Sequence, residues 1–301
     1  MLKIYKIGLI KNKNMSCITT QSIKSPITPT WCPGCGNFMI LNALQKALIE
    51  LKLKEANTVI FYGIGCSGNM ADFNRSYGFH GLHGRTLPNA IGTKLANHNL
   101  KIIVIAGDGD FYGEGLNHFI SLARGNHDVT AIIHNNSRYS LTTGQSSPTT
   151  KKGTKTKSTP TGLIEKPFNP ITAAIIAEAS FVSRGYSNKF LELIQLIKAG
   201  ISHPGFSLVD VIQLCPTFNK KENHPFFAEK IYDLATEKHD SSNKMAAIIK
   251  AQETEKIPLG IFYQDKKSVP YHAHLSQIEK ESLIEQRQDK TNIKVAIKKF
   301  I

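Results

Sequence analysis

The chain has 301 residues, enough for one large domain or two modest ones around a buried core, and its 41% hydrophobic and 20% charged content is ordinary for a globular protein. No apolar run approaches the roughly 20 residues that cross a bilayer, and Met1 to Asn14 lacks the long apolar stretch and small-residue cleavage site of a secretory signal. These features exclude a membrane-spanning or exported reading and predict a cytoplasmic protein, with Met15 as an alternative start to Met1.

The net charge is +14. A lysine-rich solvated surface accounts for it most simply, and attraction of an acidic protein partner is the sharper alternative. The lysines are spread along the chain without interleaved aromatics, so nucleic-acid binding is not expected. Five cysteines, at 17, 32, 35, 66 and 215, are too few and too scattered for a disulfide framework.

In chain order, apolar residues at helical spacing predict a helix over Asn37 to Leu53 and a strand over Thr58 to Tyr62. That strand delivers the glycine-rich run Gly63 to Gly68. A helix is expected over Leu87 to Asn97, with Pro88 in its first turn. The apolar run Ile102 to Ala106 reads as a buried strand ending at Gly107-Asp108-Gly109-Asp110. A helix over Glu114 to Arg124 and a strand over Val129 to His134 lead to Asn135-Asn136. Ser137 to Pro170 shows little periodicity, which after a strand end favours a functional segment. Helices over Ile171 to Ala179 and Lys189 to Ala199 precede Phe206 to Leu214, read as the last core strand. Helical fragments follow around Phe227 to Leu234 and Lys244 to Ala251. The alternation predicts an α/β fold, a mostly parallel sheet with helices on both faces. The expected division is an N-terminal extension (1–24), a cofactor-binding domain (25–216), and a C-terminal extension (217–301) packed on that domain or on a partner.

Asn136 stands 28 positions after Asp108. A strand–helix–strand crossover takes about 30 residues, so both emerge at carboxyl ends of strands, where open α/β sheets bind ligands. One carboxylate and one carboxamide suit Mg²⁺, which completes its shell with phosphate oxygens. Cys32 and Cys35 form a Cys-x-x-Cys, and Cys66 and Cys215 are two distant thiols able to converge with it on one centre. Cys32 and Cys215 each precede a proline, as at iron–sulfur ligands. A four-cysteine Zn²⁺ site stays open. Cys66 lies in the glycine-rich loop itself, which favours an electron acceptor over a remote staple.

Several motifs together resemble one family: Trp-Cys-Pro-Gly-Cys-Gly-Asn (31–37), Gly-Ile-Gly-Cys-Ser-Gly (63–68), His-Gly-Leu-His-Gly-Arg (80–85), Gly-Asp-Gly-Asp (107–110), Leu-Thr-Thr-Gly-Gln-Ser-Ser-Pro-Thr (141–149) and Lys-Thr-Lys-Ser-Thr-Pro (155–160). They look like the beta subunit of 2-oxoacid:ferredoxin oxidoreductases, over about 25–220 and more loosely at Ile257-Pro258-Leu259-Gly260. The two-subunit, 2-oxoglutarate-type branch fits best, because no ferredoxin-like cysteine clusters are appended. The resemblance implies a thiamine-diphosphate-binding fold. Its implied activity is oxidative decarboxylation of a 2-oxoacid, 2-oxoglutarate before pyruvate, to acyl-CoA and CO₂, with electrons passed through a [4Fe–4S] cluster to ferredoxin. A degenerate or non-oxidative thiamine-diphosphate-binding subunit with structural zinc is the alternative.

By the same resemblance, Cys32, Cys35, Cys66 and Cys215 would ligate the cluster. Asp108, Asn136 and the Arg138 carbonyl would hold Mg²⁺. Ile64, Gly65, Cys66, Ser67, Leu82, His83, Gly84, Arg85, Gly109, Asp110, Ser140 and Leu141 would line thiamine diphosphate. His83 is the candidate catalytic residue, or else a loop stabiliser bonded to backbone. The activating carboxylate would come from an alpha subunit, so the chain alone would bind cofactor without turnover. Coenzyme A, ferredoxin and the alpha subunit are the implied partners. Lys151, Lys152, Lys155 or Lys157 are candidates to pair a second substrate carboxylate. The family usually carries a small aliphatic residue where Arg138 stands and Gly where Ser140 stands; a need for positive φ would strain Ser140.

Overall fold

A computed structural model describes residues 16–286 together with 297 and 298. The alternative start at Met15 and most of the N-terminal extension lie outside the described residues. A short helix, α1 (Thr20–Ile23), precedes α2 (Asn37–Glu50), which buries Ile40, Leu44, Ala47 and Leu48 at three- and four-residue spacing. Strand β1 (Thr58–Tyr62) matches the expected span, and β2 (Tyr77–His80) pairs with it in parallel. Helix α3 (Thr86–Ala96), strand β3 (Lys101–Gly107), helix α4 (Leu116–Gly125) and strand β4 (Thr130–Asn135) follow within two residues of expectation.

The aperiodic stretch after Asn136 contains a small hairpin, β5 (Arg138–Tyr139) with β6 (Gln145–Ser146). Then come α5 (Pro170–Ile176), β7 (Phe181–Tyr186), α6 (Phe190–Ser202) and β8 (Ser207–Ile212). The chain continues with α7 (His224–Lys230), β9 (Ile231–Asp233), α8 (Lys244–Ala251) and β10 (Ile257–Gln264).

Eight strands form one sheet in the order β2-β1-β3-β4-β8-β7-β10-β9. Every pairing is parallel except that of β10 with β7. Strand periodicity divides the core. Ile103, Ile105 and Ile132 face α2 and α6, while Ile102, Val104 and Ala131 face α3, α4 and α5.

Two expectations are corrected. Phe206 to Leu214 does not hold the last core strand, because β10 adds a further strand beside β7. Pro258 and Gly260 obscure β10 in the sequence, and its register shift between Ile261 and Tyr263 disturbs the period. The segment read as helical over Phe227 to Leu234 is helical only to Lys230, and Ile231–Asp233 extends to pair with β10. Strand β2 also escaped notice, since all four of its residues are exposed and no alternation marks it. No described helix is long and apolar enough to cross a membrane.

The wholly buried Leu44 packs between α2 and the sheet. Leu44→Ala is expected to cost ~2–5 kcal/mol of stability, read as a lower denaturation midpoint with an unchanged slope.

Candidate active site

Because β1, β3, β4 and β8 are adjacent and parallel, the loops at their carboxyl ends meet along one edge of the sheet. Those loops carry Ile64 to Ser67, Asp108 to Asp110, Asn136, and Gln213 to Cys215. Together with the β5–β6 hairpin they enclose a cleft lined by Ile64, Gly65, Cys66, Ser67, Asp108 and Asn136, among others.

Asp108 is 1% exposed and has no ion-pair partner among the described residues. Its Oδ2 accepts from the hydroxyls of Ser147 (2.5 Å) and Thr149 (2.7 Å), and its Oδ1 from the Asn136 N–H at 3.4 Å. Burial outweighs these bonds and pushes the carboxyl up to about 6. A buried carboxylate of this kind needs a cation to stay ionised at low cost. Asn136 Oδ1 accepts from the Arg138 N–H (3.0 Å) and the Ser140 hydroxyl (3.3 Å). The Arg138 side chain turns away, donating to Thr150 Oγ1 (3.5 Å) and Asn219 Oδ1 (3.3 Å). Ser140 does not have positive φ, so the feared strain is absent. Two buried polar atoms bordering the cleft, Ser67 Oγ and His134 Nε2, have no protein partner. Such atoms are costly unless a ligand meets them.

The chain leaves Asp108 through one π-helical stretch, Gly109–Glu114, before α4 begins. In this stretch the buried Asp110 accepts from the N–H groups of Ile64 (3.2 Å) and Gly84 (2.6 Å) and thereby ties three loops together. Gly84 has φ +69° and lies against the Glu114 backbone, so a side chain there would both strain and collide. His83 Nδ1 sits 3.0 Å from Asp110 Oδ1 and 3.1 Å from Glu114 Oε2, and the Asp110 contact raises its pKa above the usual histidine value. His83 borders the cleft and is held by carboxylates, not by a backbone group.

The four cysteines lie beside this cleft. Cys35 and Cys215 are buried, Cys66 is half-buried and Cys32 is exposed. Burial first, then the neighbouring Cys215, Cys66 and Cys32, pushes the Cys35 thiol up to about 12. Burial, Cys215 and Cys32 push Cys66 up to about 11. Cys35 therefore lies within electrostatic reach of the other three, and Cys66 within reach of Cys32 and Cys215. Among the described residues no three His, Cys, Asp or Glu side chains approach closely enough for a single metal ion. Cys66 lines the cleft, and its thiol feels Cys215 and Cys32.

Of the other expected residues, Gly109, Asp110, Arg138, Ser140 and Leu141 line the cleft. Leu82, 78% exposed, and Arg85, bonded to His118 Nε2 at 2.9 Å, stand outside the lining, and Gly84 contributes through its bond to Asp110. None of Lys151, Lys152, Lys155 and Lys157 lines the cleft; Lys151 is paired with Glu222 at 2.6 Å. Ser147, Thr149, His134, Tyr139 and Gln213 were not singled out from the sequence. The hydroxyl run Ser146 to Thr150 was the available signal for the first two, since a buried carboxylate nearby needs donors.

His83 in its raised state stabilises the folded chain fully below the unfolded histidine pKa, and the benefit fades as pH rises through the folded value. His83→Gln is accordingly expected to lower the melting temperature more at pH 5.5 than at pH 8.5, by scanning calorimetry at both.

Comparison with known proteins agrees with this geometry. Residues 63–211 match the thiamine pyrophosphate enzyme C-terminal TPP-binding domain, and residues 215–280 match the C-terminal region of the pyruvate ferredoxin oxidoreductase beta subunit. The chain is 42% identical over 267 residues to the beta subunit of 2-oxoacid:ferredoxin oxidoreductase 1 of Aeropyrum pernix, covering 85% of this chain and 84% of that protein. It is 44% identical over 260 residues to the 2-oxoacid:ferredoxin oxidoreductase beta subunit of Saccharolobus solfataricus, covering 82% and 85%. A 2-oxoglutarate:ferredoxin oxidoreductase from Magnetococcus marinus, solved with 2-oxoglutarate, coenzyme A and succinyl-CoA bound, superposes with TM-score 0.86 at 34% identity, over 96% of this chain and 97% of that one. The cleft is built largely from the stretch that matches the TPP-binding domain, and the full-length similarities show that the chain belongs to the beta subunits of the 2-oxoacid:ferredoxin oxidoreductases.

Proposed function

We propose that this subunit, joined to an alpha subunit in the cytoplasm, oxidatively decarboxylates a 2-oxoacid to acyl-CoA and CO₂ and passes the electrons through a [4Fe–4S] cluster to ferredoxin. The observation that carries the reading is the shared loop: Cys66 joins the other three cysteines while Ile64 to Ser67 border the cleft. That loop would connect substrate in the cleft to the cysteines. The preference for 2-oxoglutarate, with pyruvate next, rests on the likeness to the Magnetococcus marinus enzyme.

Asp108, Asn136 and the Arg138 carbonyl would hold Mg²⁺, and the uncompensated Asp108 charge fits a divalent cation. Ser67 Oγ and His134 Nε2 are unpartnered atoms that a bound cofactor would satisfy. Thiamine diphosphate, when bound, supplies the electron sink that lets CO₂ leave. The chain's own part is to bind, orient and exclude water. Ser147 and Thr149 keep Asp108 aimed, and Asp110 holds the Ile64 and Gly84 loops closed. His83 holds a proton between Asp110 and Glu114 at the cleft's edge. The carboxylate that activates the cofactor and the cation for a distal substrate carboxylate are assigned to the alpha subunit. The +14 charge favours an acidic carrier such as ferredoxin.

Anaerobically purified protein is expected to be brown, with a cluster EPR signal after dithionite; a colourless protein with stoichiometric zinc would sink the electron-transfer reading. Asp108→Ala is expected to weaken Mg²⁺-dependent thiamine diphosphate binding at least about 100-fold by calorimetry, given that even outer partners of a metal site are worth 10–100-fold. The chain without its alpha subunit is expected to bind the cofactor yet show no 2-oxoacid-dependent dye reduction.

A further inference from the structure

Gln213 follows the last residue of β8 and is 3% exposed, between the cleft and the cysteines. Its Oε1 accepts from Asn136 Nδ2 at 2.6 Å. Its Nε2 donates to the Leu214 carbonyl and, at 3.2 Å, to Cys35 Sγ. The polar partners leave little choice of orientation for either amide. The Leu214 oxygen can only accept, so the Gln213 NH₂ group must face it. Oε1 then faces Asn136 and must meet that residue's NH₂ group. Asn136 Oδ1 is thereby turned toward the Arg138 N–H, which donates to it at 3.0 Å. Gln213, from the Nδ2 side, and the Arg138 N–H and Ser140 hydroxyl, from the Oδ1 side, together hold the Asn136 amide in one orientation.

The approach of the cysteine loop depends on the same place. Gly36 N donates to the Leu214 carbonyl at 3.0 Å. A Cβ on Gly36 would lie 2.8 Å from Leu214 N and 3.1 Å from Gln213 Cγ. A glycine next to Cys35 therefore lets that thiol reach the glutamine amide.

We propose that Gln213 is a positioning residue that serves both centres: it orients Asn136 for the metal and gives Cys35 an N–H···S hydrogen bond that sets the cluster's reduction potential. The inference rests on the Mg²⁺ and cluster reading above. Hydrogen bonds to the sulfurs of an iron–sulfur centre tune its potential, and a donor favours the reduced, more negative form. Removing the donor lowers the potential. Removing the acceptor leaves Asn136 Nδ2 without its partner and loosens an amide then held only from its Oδ1 side, which weakens the metal without touching a ligand.

The test compares Gln213→Met and Gln213→Glu in the intact alpha–beta complex. Methionine keeps the length and loses both amide functions; glutamate keeps acceptor oxygens for Asn136 and loses the NH₂ donor. Two quantities are read: the cluster midpoint potential by mediated titration with EPR, and the Mg²⁺ concentration for half-maximal thiamine diphosphate binding by calorimetry. In Gln213→Met the Mg²⁺ requirement is expected to rise about tenfold. Its reduced cluster is expected to be about tenfold less favoured, a downward shift of about 59 mV for one electron. In Gln213→Glu the potential falls while the Mg²⁺ requirement stays near that of the unaltered complex. An unchanged potential in both variants, at full iron content, overturns the Cys35 role. An unchanged Mg²⁺ requirement in Gln213→Met overturns the Asn136 role, and that measurement stands even if the variant assembles its cluster poorly. An unaltered complex without iron defeats the cluster reading itself, which is a separate outcome.

Discussion

Asp108 carries a buried carboxylate with no ion-pair partner among the described residues, and the rest of the centre is arranged around that fact. An isolated buried charge is among the most costly groups a fold can hold, and the carboxyl's rise toward 6 expresses that cost. Two hydroxyls and one backbone N–H relieve part of it. The remainder is what a divalent cation and a diphosphate would use together. A binding site prepared in this way is less comfortable empty than full.

Delivering such a group depends on the parallel sheet. Four neighbouring strands end at one edge, so loops remote in sequence meet with their backbone N–H groups and side chains converging. Asp110 turns the meeting into a fixed geometry by accepting from the loops after β1 and β2 at once. The π-helical stretch after Asp108 carries Asp110 in the turn where those bonds form. Close approach of backbone matters as much: a Cβ on Gly68 would strike the Gly63 carbonyl, so the loop that carries Cys66 closes tightly only with glycine there. The Trp31 indole then donates to the Cys66 carbonyl at 2.6 Å, locking that loop against the Cys32–Cys35 turn. Thiols and cleft become one unit through these contacts.

Much of this was legible beforehand because it is written in local pattern. The apolar runs of β1, β3 and β4, the helical spacing of α2, and the interval from Asp108 to Asn136 each report a local constraint; the strands fall within a residue of expectation, and α2 starts where expected and ends three residues early. Strand β2 was illegible because its stability comes from pairing with β1, with no face of its own to bury. Strand β10 was illegible because Pro258 and Gly260 break the pattern, and its place beside β7 comes from contacts across about eighty residues of sequence. At the site, Ser147 and Thr149 stood inside the 141–149 motif without an assigned role, and Gln213 lacked any motif. Polar residues in an aperiodic stretch look like solvated loop until the partner that buries them is known.

The sequence alone therefore determined the class of fold, the glycine-rich loops and the placing of Asp108 and Asn136 at the ends of two strands, since each depends on residue type and short-range spacing. Only the tertiary structure decided that Arg138 turns its guanidinium away, that Ser140 sits without strain, that His83 is held between two carboxylates, and that one buried glutamine touches both Asn136 and Cys35. Those outcomes depend on which way a side chain or an amide faces. That direction is set by hydrogen-bond partners far away in the chain, which become neighbours only when the sheet has formed.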